Sequence, residues 1–260
     1  MREEAHPSPR AFAQRRALGN RARERLSACA MASAPQITVH EIGAERQPVM
    51  VIDNFVADPE ALIEDAAALA WGRYGPHYPG PRAPVPPVTL ARFLPALVRP
   101  MAQAFKLTAA PQLLEAYYSL VTTPPADLAP IQRMPHFDGL ERERLAVLHF
   151  LSRDEGTGTA FYRHRATGYE TVDSARFETY RTRLEADIAR DGLPTAAYIA
   201  DDTPHFEQIA RFEGRFNRAL VYRGHALHCA WLPEDTVFSG DPRAGRLTVN
   251  TFLTAPTAAR

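Results

Sequence analysis

Gln112-Leu113-Leu114-Glu115-Ala116-Tyr117-Tyr118-Ser119-Leu120-Val121 is where the chain changes its period. Upstream, apolar residues recur at three- and four-residue spacing. From here on they alternate, with Tyr118 and Leu120 on one face and Tyr117 and Ser119 on the other. Alternation by two belongs to an extended strand, whose successive side chains point to opposite faces. The same strand composition returns at 145–151, 159–163, 206–212, 218–222 and 246–253. Gly- and Pro-bearing turns separate these runs, and Asp154-Glu155-Gly156-Thr157-Gly158 is expected to close a hairpin before Thr159. One helix interrupts the strands at 174–190, with Phe177, Tyr180, Leu184 and Ile188 on its buried side.

Outward toward the N-terminus, strand composition appears at 37–40 and 49–55. Asp58-Pro59 then supplies an N-cap and a first-turn proline for a helix whose stripe is Leu62, Ile63, Ala66, Ala67 and Ala70. A proline-rich loop at 75–87 leads to a second amphipathic helix from residue 90, where Pro100 predicts a kink or break. Helices first and many short strands after give a mainly β, α+β fold: an antiparallel sandwich with N-terminal supporting helices packed on one sheet. The domain is expected over 36–260, with helical support at 36–111 and a β core at 112–255 carrying the insertion near 174–190. Residues 1–35 are rich in Arg and Ala and offer no core face. They read as a disordered tail, or as a start assigned too far upstream of Met31.

Composition excludes several classes. The 30 basic and 30 acidic residues cancel, so nothing global points to nucleic acid or an anionic membrane. Only Cys29 and Cys229 occur, too few for a disulfide framework or a zinc knot, and a reducing cytoplasm is the expected setting. No apolar run reaches the length of a membrane span. The expected partner is a small-molecule or peptide substrate, and nothing in the pattern sets an oligomeric state.

The chemistry centres on Met134-Pro135-His136-Phe137-Asp138-Gly139. His136 and Asp138 are two apart and project to one face of an extended segment, so both can reach one cation. A third ligand would come from a histidine after the 218–222 strand, at position 225 or 228. Two histidines and a carboxylate leave metal positions open, the arrangement of non-haem Fe(II) oxygenases. A lone His-x-Asp is common by chance, but the last strand adds a second feature. There Arg246, Thr248 and Asn250 share one face, and no acidic residue within the strand neutralises Arg246. An inward guanidinium is costly without an anion, so an anionic cosubstrate is the natural partner, with Thr248 donating a further hydrogen bond. Asn250 and Tyr118 are further candidates to touch the cosubstrate. His149 reads as a core histidine, Cys229 as small-residue packing, and Arg163 and Arg165 as possible contacts to an acidic substrate or as solvated charges.

His136-x-Asp138, a distal histidine and Arg246-x-Thr248 together resemble the 2-oxoglutarate- and Fe(II)-dependent oxygenases, and in particular a bacterial subfamily within their prolyl-hydroxylase-like branch. The resemblance covers roughly residues 112–255. It implies a double-stranded β-helix, or jelly-roll, core. It also implies that His136, Asp138 and the distal histidine hold Fe(II), while Arg246 and Thr248 hold 2-oxoglutarate. Leu227-His228-Cys229-Ala230 matches the family pattern better than Gly224-His225-Ala226, so His228 is the implied ligand and His225 a rim residue. Family members that halogenate lack the carboxylate, so Asp138 implies hydroxylation or another oxidation, consuming O2 and releasing succinate. A non-catalytic jelly-roll binding protein and a cupin-type metalloenzyme without oxoglutarate are the competing classes. The loops 75–87 and 122–135 and the insertion 174–190 are expected to form the lid.

Overall fold

Strand periodicity becomes two stacked sheets. The structure, a computed structural model, describes residues 33–153 and 156–257. The expected tail therefore lies outside the described residues except for its last three positions, and so do Asp154 and Glu155 of the expected turn. Within Pro35–Arg260, the elements run β1 (Gln36–Ile42), β2 (Gln47–Asp53), α1 (Pro59–Ala67), β3 (Arg82–Pro84), α2 (Pro87–Leu90), α3 (Leu94–Phe105) and β4 (Gln112–Leu120). They continue with β5 (Arg144–Phe150), β6 (Gly158–His164), α4 (Phe177–Asp191), β7 (Phe206–Glu213), β8 (Arg218–Arg223), β9 (His228–Trp231) and β10 (Leu247–Thr254). The large sheet has the order β1-β2-β8-β5-β10-β4-β3 and the small one β7-β6-β9. Every strand pairing in them is antiparallel.

Alternation along the large sheet sorts its side chains into two layers. Met50, Ile52, Tyr118, Leu120, Leu145, Val147, Val221 and Val249 face one way, against Leu62 and Ile63 of α1 and Leu97, Met101 and Phe105 of α3. Val49, Val51, Leu148, Phe150, Leu220 and Tyr222 face the other way, where Phe161 of the small sheet meets them. Burying each such side chain is worth about 1.5–3 kcal/mol, so the pattern fixes register as well as stability.

Local rules explain the helix ends. Asp58 accepts a hydrogen bond from Ala61 N at 3.1 Å, and Pro59 occupies the first turn, as the sequence predicts. The second predicted helix divides earlier than expected. It breaks at Phe93, α3 begins at Leu94 with Pro95 in its first turn, and Pro100 lies inside it. A proline in the first turn loses no helical hydrogen bond, which makes Pro95 a start signal. The hairpin expected at 154–158 is not formed. β5 pairs with β10 and β8, whereas β6 pairs with β7 and β9, so this connection crosses from one sheet to the other. No described helix is long and apolar enough to cross a membrane.

Candidate metal centre and its cavity

His136 and His228 are distant in sequence yet directly opposite in space. His136 N donates to His228 O and His228 N to His136 O, both at 2.8 Å, forming an isolated antiparallel bridge. Residues that exchange both hydrogen bonds put their side chains on the same face. The two imidazole centroids accordingly lie 4.4 Å apart. Asp138 N donates to Gly224 O at 2.7 Å, which sets the next inward position of the same segment. A Cβ at Gly224 would come within 2.8 Å of the Arg144 side chain, so the close approach under Asp138 favours glycine.

These backbone contacts converge three donors. Asp138 Oδ1 is 3.7 Å from His136 Nε2, and Asp138 Oδ2 is 3.5 Å from His228 Nε2. The ligand atoms of His136, Asp138 and His228 all lie within 4.8 Å of one another. Metal bonds of about 2.0–2.2 Å place adjacent ligand atoms roughly 3 Å apart, so little movement is needed to close on one ion. His228 Nδ1 lies 2.9 Å from Ala226 O, which requires the proton on Nδ1 and leaves the Nε2 lone pair facing Asp138. Tyr222 and Phe161 pack on the same imidazole, with ring centroids 4.7 and 6.1 Å away.

Electrostatics agrees with a cation site. Asp138 Oδ2 is buried with no hydrogen-bond donor, an expensive state for a carboxylate oxygen unless a cation meets it. Burial raises the Asp138 pKa, opposed electrostatically by its neighbours His228, Arg82 and Arg144. His136 is held below the usual imidazole range, first because the cavity wall packed around it strips water from the charged form, although one side of the ring stays open, and second by His228 beside it. A neutral imidazole with a free lone pair is the ligand form. The side chain of His136 remains 52% exposed, against 5% for His228, so the centre is approached from the His136 side.

A cavity of about 620 Å³ opens onto this cluster, and Arg246, Thr248, Asn250, Tyr78, Tyr198 and Arg82 share its wall. Arg246 is only 5% exposed. Its Nε donates to Thr157 Oγ1 at 3.3 Å and one terminal nitrogen to Gly158 O at 2.9 Å. Both acceptors are neutral, and among the described residues no carboxylate forms an ion pair with it. Burial lowers its pKa, as expected for a desolvated cation. Thr248 Oγ1 donates to Asn250 Oδ1 at 2.8 Å, which ties two wall residues together.

A model of a family of unknown function, DUF6445, matches residues 33–253. The chain belongs to that family. Comparison with curated proteins finds no match. Among solved structures, HygX from Streptomyces hygroscopicus with nickel and 2-oxoglutarate bound is similar at 14% identity and a TM-score of 0.46, covering 82% of this chain and 85% of that one. An N-substituted L-amino acid dioxygenase from Burkholderia ambifaria AMMD is similar at 12% identity and a TM-score of 0.43, over 86% and 96% of the two chains. Its complex with alpha-KG gives 14% identity and a TM-score of 0.37, over 81% and 83%. At such scores the site is read from its own geometry.

The sequence-predicted residues fall into two groups. His136, Asp138, His228, Arg246, Thr248 and Asn250 line one cavity. Tyr118 does not join them: it pairs with Val249, is fully buried, and packs in the core beneath α1 and α3. Its expected reach toward an oxoacid fails on strand parity, because Tyr118 shares the face of Val249 and not that of Thr248 and Asn250. His225 is buried outside the cavity wall, with Arg223, Asp173, Arg142 and Glu45 as its charged neighbours. Arg163 pairs with Glu170 and Glu207, and Arg165 with Asp202, so neither offers a charge to the cavity. Cys229 is on the wall with its thiol pKa pushed up to about 12 by burial, consistent with packing. Arg82, Tyr78 and Tyr198 were not anticipated. Arg82 opens the three-residue strand β3, and Tyr78 and Tyr198 sit in irregular segments, so no periodicity marks an inward face for any of them.

Proposed function

We propose that this chain is an oxygenase dependent on Fe(II), 2-oxoglutarate and O2, built on a double-stranded β-helix core of the prolyl-hydroxylase-like kind. One observation carries the reading: three metal-ligating atoms lie within 4.8 Å of each other in the same cavity as a buried arginine that has no carboxylate partner among the described residues. The donor set of two imidazoles and one carboxylate suits ferrous iron with open positions, and the orphaned Asp138 Oδ2 is where a cation belongs. His136, Asp138 and His228 would hold the ion, which when bound supplies the activation of O2 that no side chain provides.

The protein's own groups then position and exclude. Arg246 would exchange its neutral acceptors for the distal carboxylate of 2-oxoglutarate, and Thr248 would turn its hydroxyl proton from Asn250 Oδ1 to the same carboxylate. Phe137, Tyr180, Leu184 and Ile188 from α4 and the ligand segment wall the cavity against water. The balanced reaction is substrate C–H plus O2 plus 2-oxoglutarate giving substrate C–OH, succinate and CO2. One oxygen atom enters the new hydroxyl and the other the succinate carboxylate. The substrate is a small molecule or peptide, and Cys229, buried and free, accords with the reducing cytoplasm inferred from composition.

Aerobic incubation with Fe(II) and 2-oxoglutarate, with succinate followed by NMR, tests the reading. The wild type should form succinate roughly 100-fold faster than Asp138→Ala. Equal rates in the two would overturn the proposal.

A further inference from the structure

We propose that Arg82 is the anchor for a carboxylate carried by the primary substrate, whose remaining body is apolar or aromatic. The inference rests on the oxygenase reading, because it assigns the second of two arginines in that cavity. Arg82 is the first residue of β3, and exchanges backbone hydrogen bonds with Gly72 at 2.9 and 2.8 Å. It also stands opposite Ser119 of β4. The backbone of this arginine is thus fixed on two sides.

Its side chain is placed as deliberately as its backbone. The guanidinium lies 3.9 Å over the Tyr78 ring and 5.5 Å from that of Tyr117. Its Nε is buried and donates to nothing. Gly75, at φ +80°, passes so close that a Cβ there would sit 3.4 Å from one terminal nitrogen. Aromatic faces orient a cation without neutralising it, which leaves the in-plane N–H donors for an incoming anion.

The charges around the cavity show that this anion is not supplied by the described residues. Asp138 is engaged by the two histidines at the metal centre. Glu115 lies 3.9 Å from Arg144, and Glu185 bonds Arg181 at 2.8 Å. Arg82 and Arg246 are therefore the two arginines of the wall without a carboxylate partner there. Arg246 is the deeper and stands beside Thr248, which suits it to the cosubstrate. Arg82 belongs to an edge strand, next to the 75–79 stretch of the wall. Phe137, Phe177, Leu184, Ile188 and Phe252 share the wall with the two arginines and present apolar surface to the body of a substrate. A substrate that satisfies this wall has an apolar body and one acidic end, and a planar guanidinium fork matches a carboxylate bidentately.

The test uses the full chain loaded anaerobically with Fe(II) and 2-oxoglutarate. 3-Phenylpropanoate and octanoate are titrated against their primary amides by calorimetry, with phenyl phosphate as a further probe. The acids should bind the wild type at least roughly 10-fold tighter than the amides. Arg82→Gln, and Arg82→Met with its apolar stem, should reduce that preference below about two-fold, and Arg82→Lys should keep part of it. 2-Oxoglutarate affinity should stay within about two-fold in all variants, which also reports that each is folded. Acids that bind no better than amides, or a preference that survives in both neutral variants, would overturn the assignment. So would tighter Arg82-dependent binding of phenyl phosphate, or a 10-fold loss of 2-oxoglutarate affinity in the variants, which would move Arg82 to the cosubstrate. A wild type that prefers acids but binds no Fe(II) or 2-oxoglutarate would leave Arg82 an anion anchor and refute the oxygenase reading instead.

Discussion

The two faces of the seven-stranded sheet carry opposite solutions to the same problem. On the helix face, Tyr118, Leu120, Leu145 and Val249 are buried against α1 and α3. On the other face the apolar packing stops partway. Val49, Val51, Leu220 and Phe150 meet the small sheet, but toward β10 and β4 the layer opens into a cavity bearing Arg246, Thr248 and Asn250. Adjacent residues of one strand thus serve opposite ends: Val249 seals a core while Thr248 and Asn250 line a chamber. On the helix face the buried His149 has one ring nitrogen paired, Nε2 lying 3.1 Å from Asn217 Oδ1, and its ring meets Phe55 edge-on. The chamber leaves its histidine donors facing a carboxylate oxygen with no proton to accept. A buried carboxylate oxygen without a donor, set against two imidazoles in an open cavity, is the kind of place that could take a cation.

The largest effect that would break this contrast is expected at Arg246. Arg246→Leu should weaken 2-oxoglutarate binding by about 2 kcal/mol or more, roughly 30-fold, while leaving the thermal midpoint unchanged or higher, because an unpaired buried cation is removed. Tyr118→Phe, one residue across on the opposite face, should leave that affinity within about two-fold. A loss with Tyr118→Phe comparable to that with Arg246→Leu would erase the distinction between the faces. Titration calorimetry and a melting curve on the same samples decide it.

A smaller effect is expected from His149. Burial lowers its pKa from 6.5 to about 4, only partly opposed by the Asn217 hydrogen bond. The native state therefore keeps this ring neutral where the unfolded chain has already taken up a proton. Its contribution to stability is complete above pH 6.5, declines by up to about 1.4 kcal/mol per pH unit toward pH 4, and is flat below. Urea unfolding at several pH values should show this slope, and His149→Gln should make it shallower by one proton. His136 and His225 are shifted in the same direction, so some slope should persist in the variant.

Much of this was legible because period and composition are local. The strands at 112–121, 145–151, 206–212 and 218–222 appear within a residue or two of their predicted ends, since alternation directly encodes a half-buried strand. The insertion helix was expected at 174–190 and begins three residues later, at Phe177, with Tyr180 buried as its spacing implies. The pair His136 and Asp138, which the structure brings together with His228, was singled out from spacing, and Arg246, which lines the same cavity, from the lack of an acid on its own strand. What escaped depends on pairing. Parity along β4 gives two faces but not which one meets the helices, so Tyr118 was assigned to the cavity when Val249 shares its side. The 154–158 turn looked like a hairpin because nothing local tells a return from a crossing between sheets. Arg82 lay unseen in Tyr78-Pro79-Gly80-Pro81-Arg82, a segment whose only order is its pairing with Gly72 and β4.

The central claim is that His136, Asp138 and His228 close on one ferrous ion with a dicarboxylic acid held opposite by Arg246. Anaerobic titration of Fe(II) into the wild type with 2-oxoglutarate tests it most directly. A weak visible band at about 500–530 nm saturating at one iron per chain, and absent from Asp138→Ala, is the predicted result. A wild-type sample that takes up no iron, or a band that persists undiminished in Asp138→Ala, would contradict it.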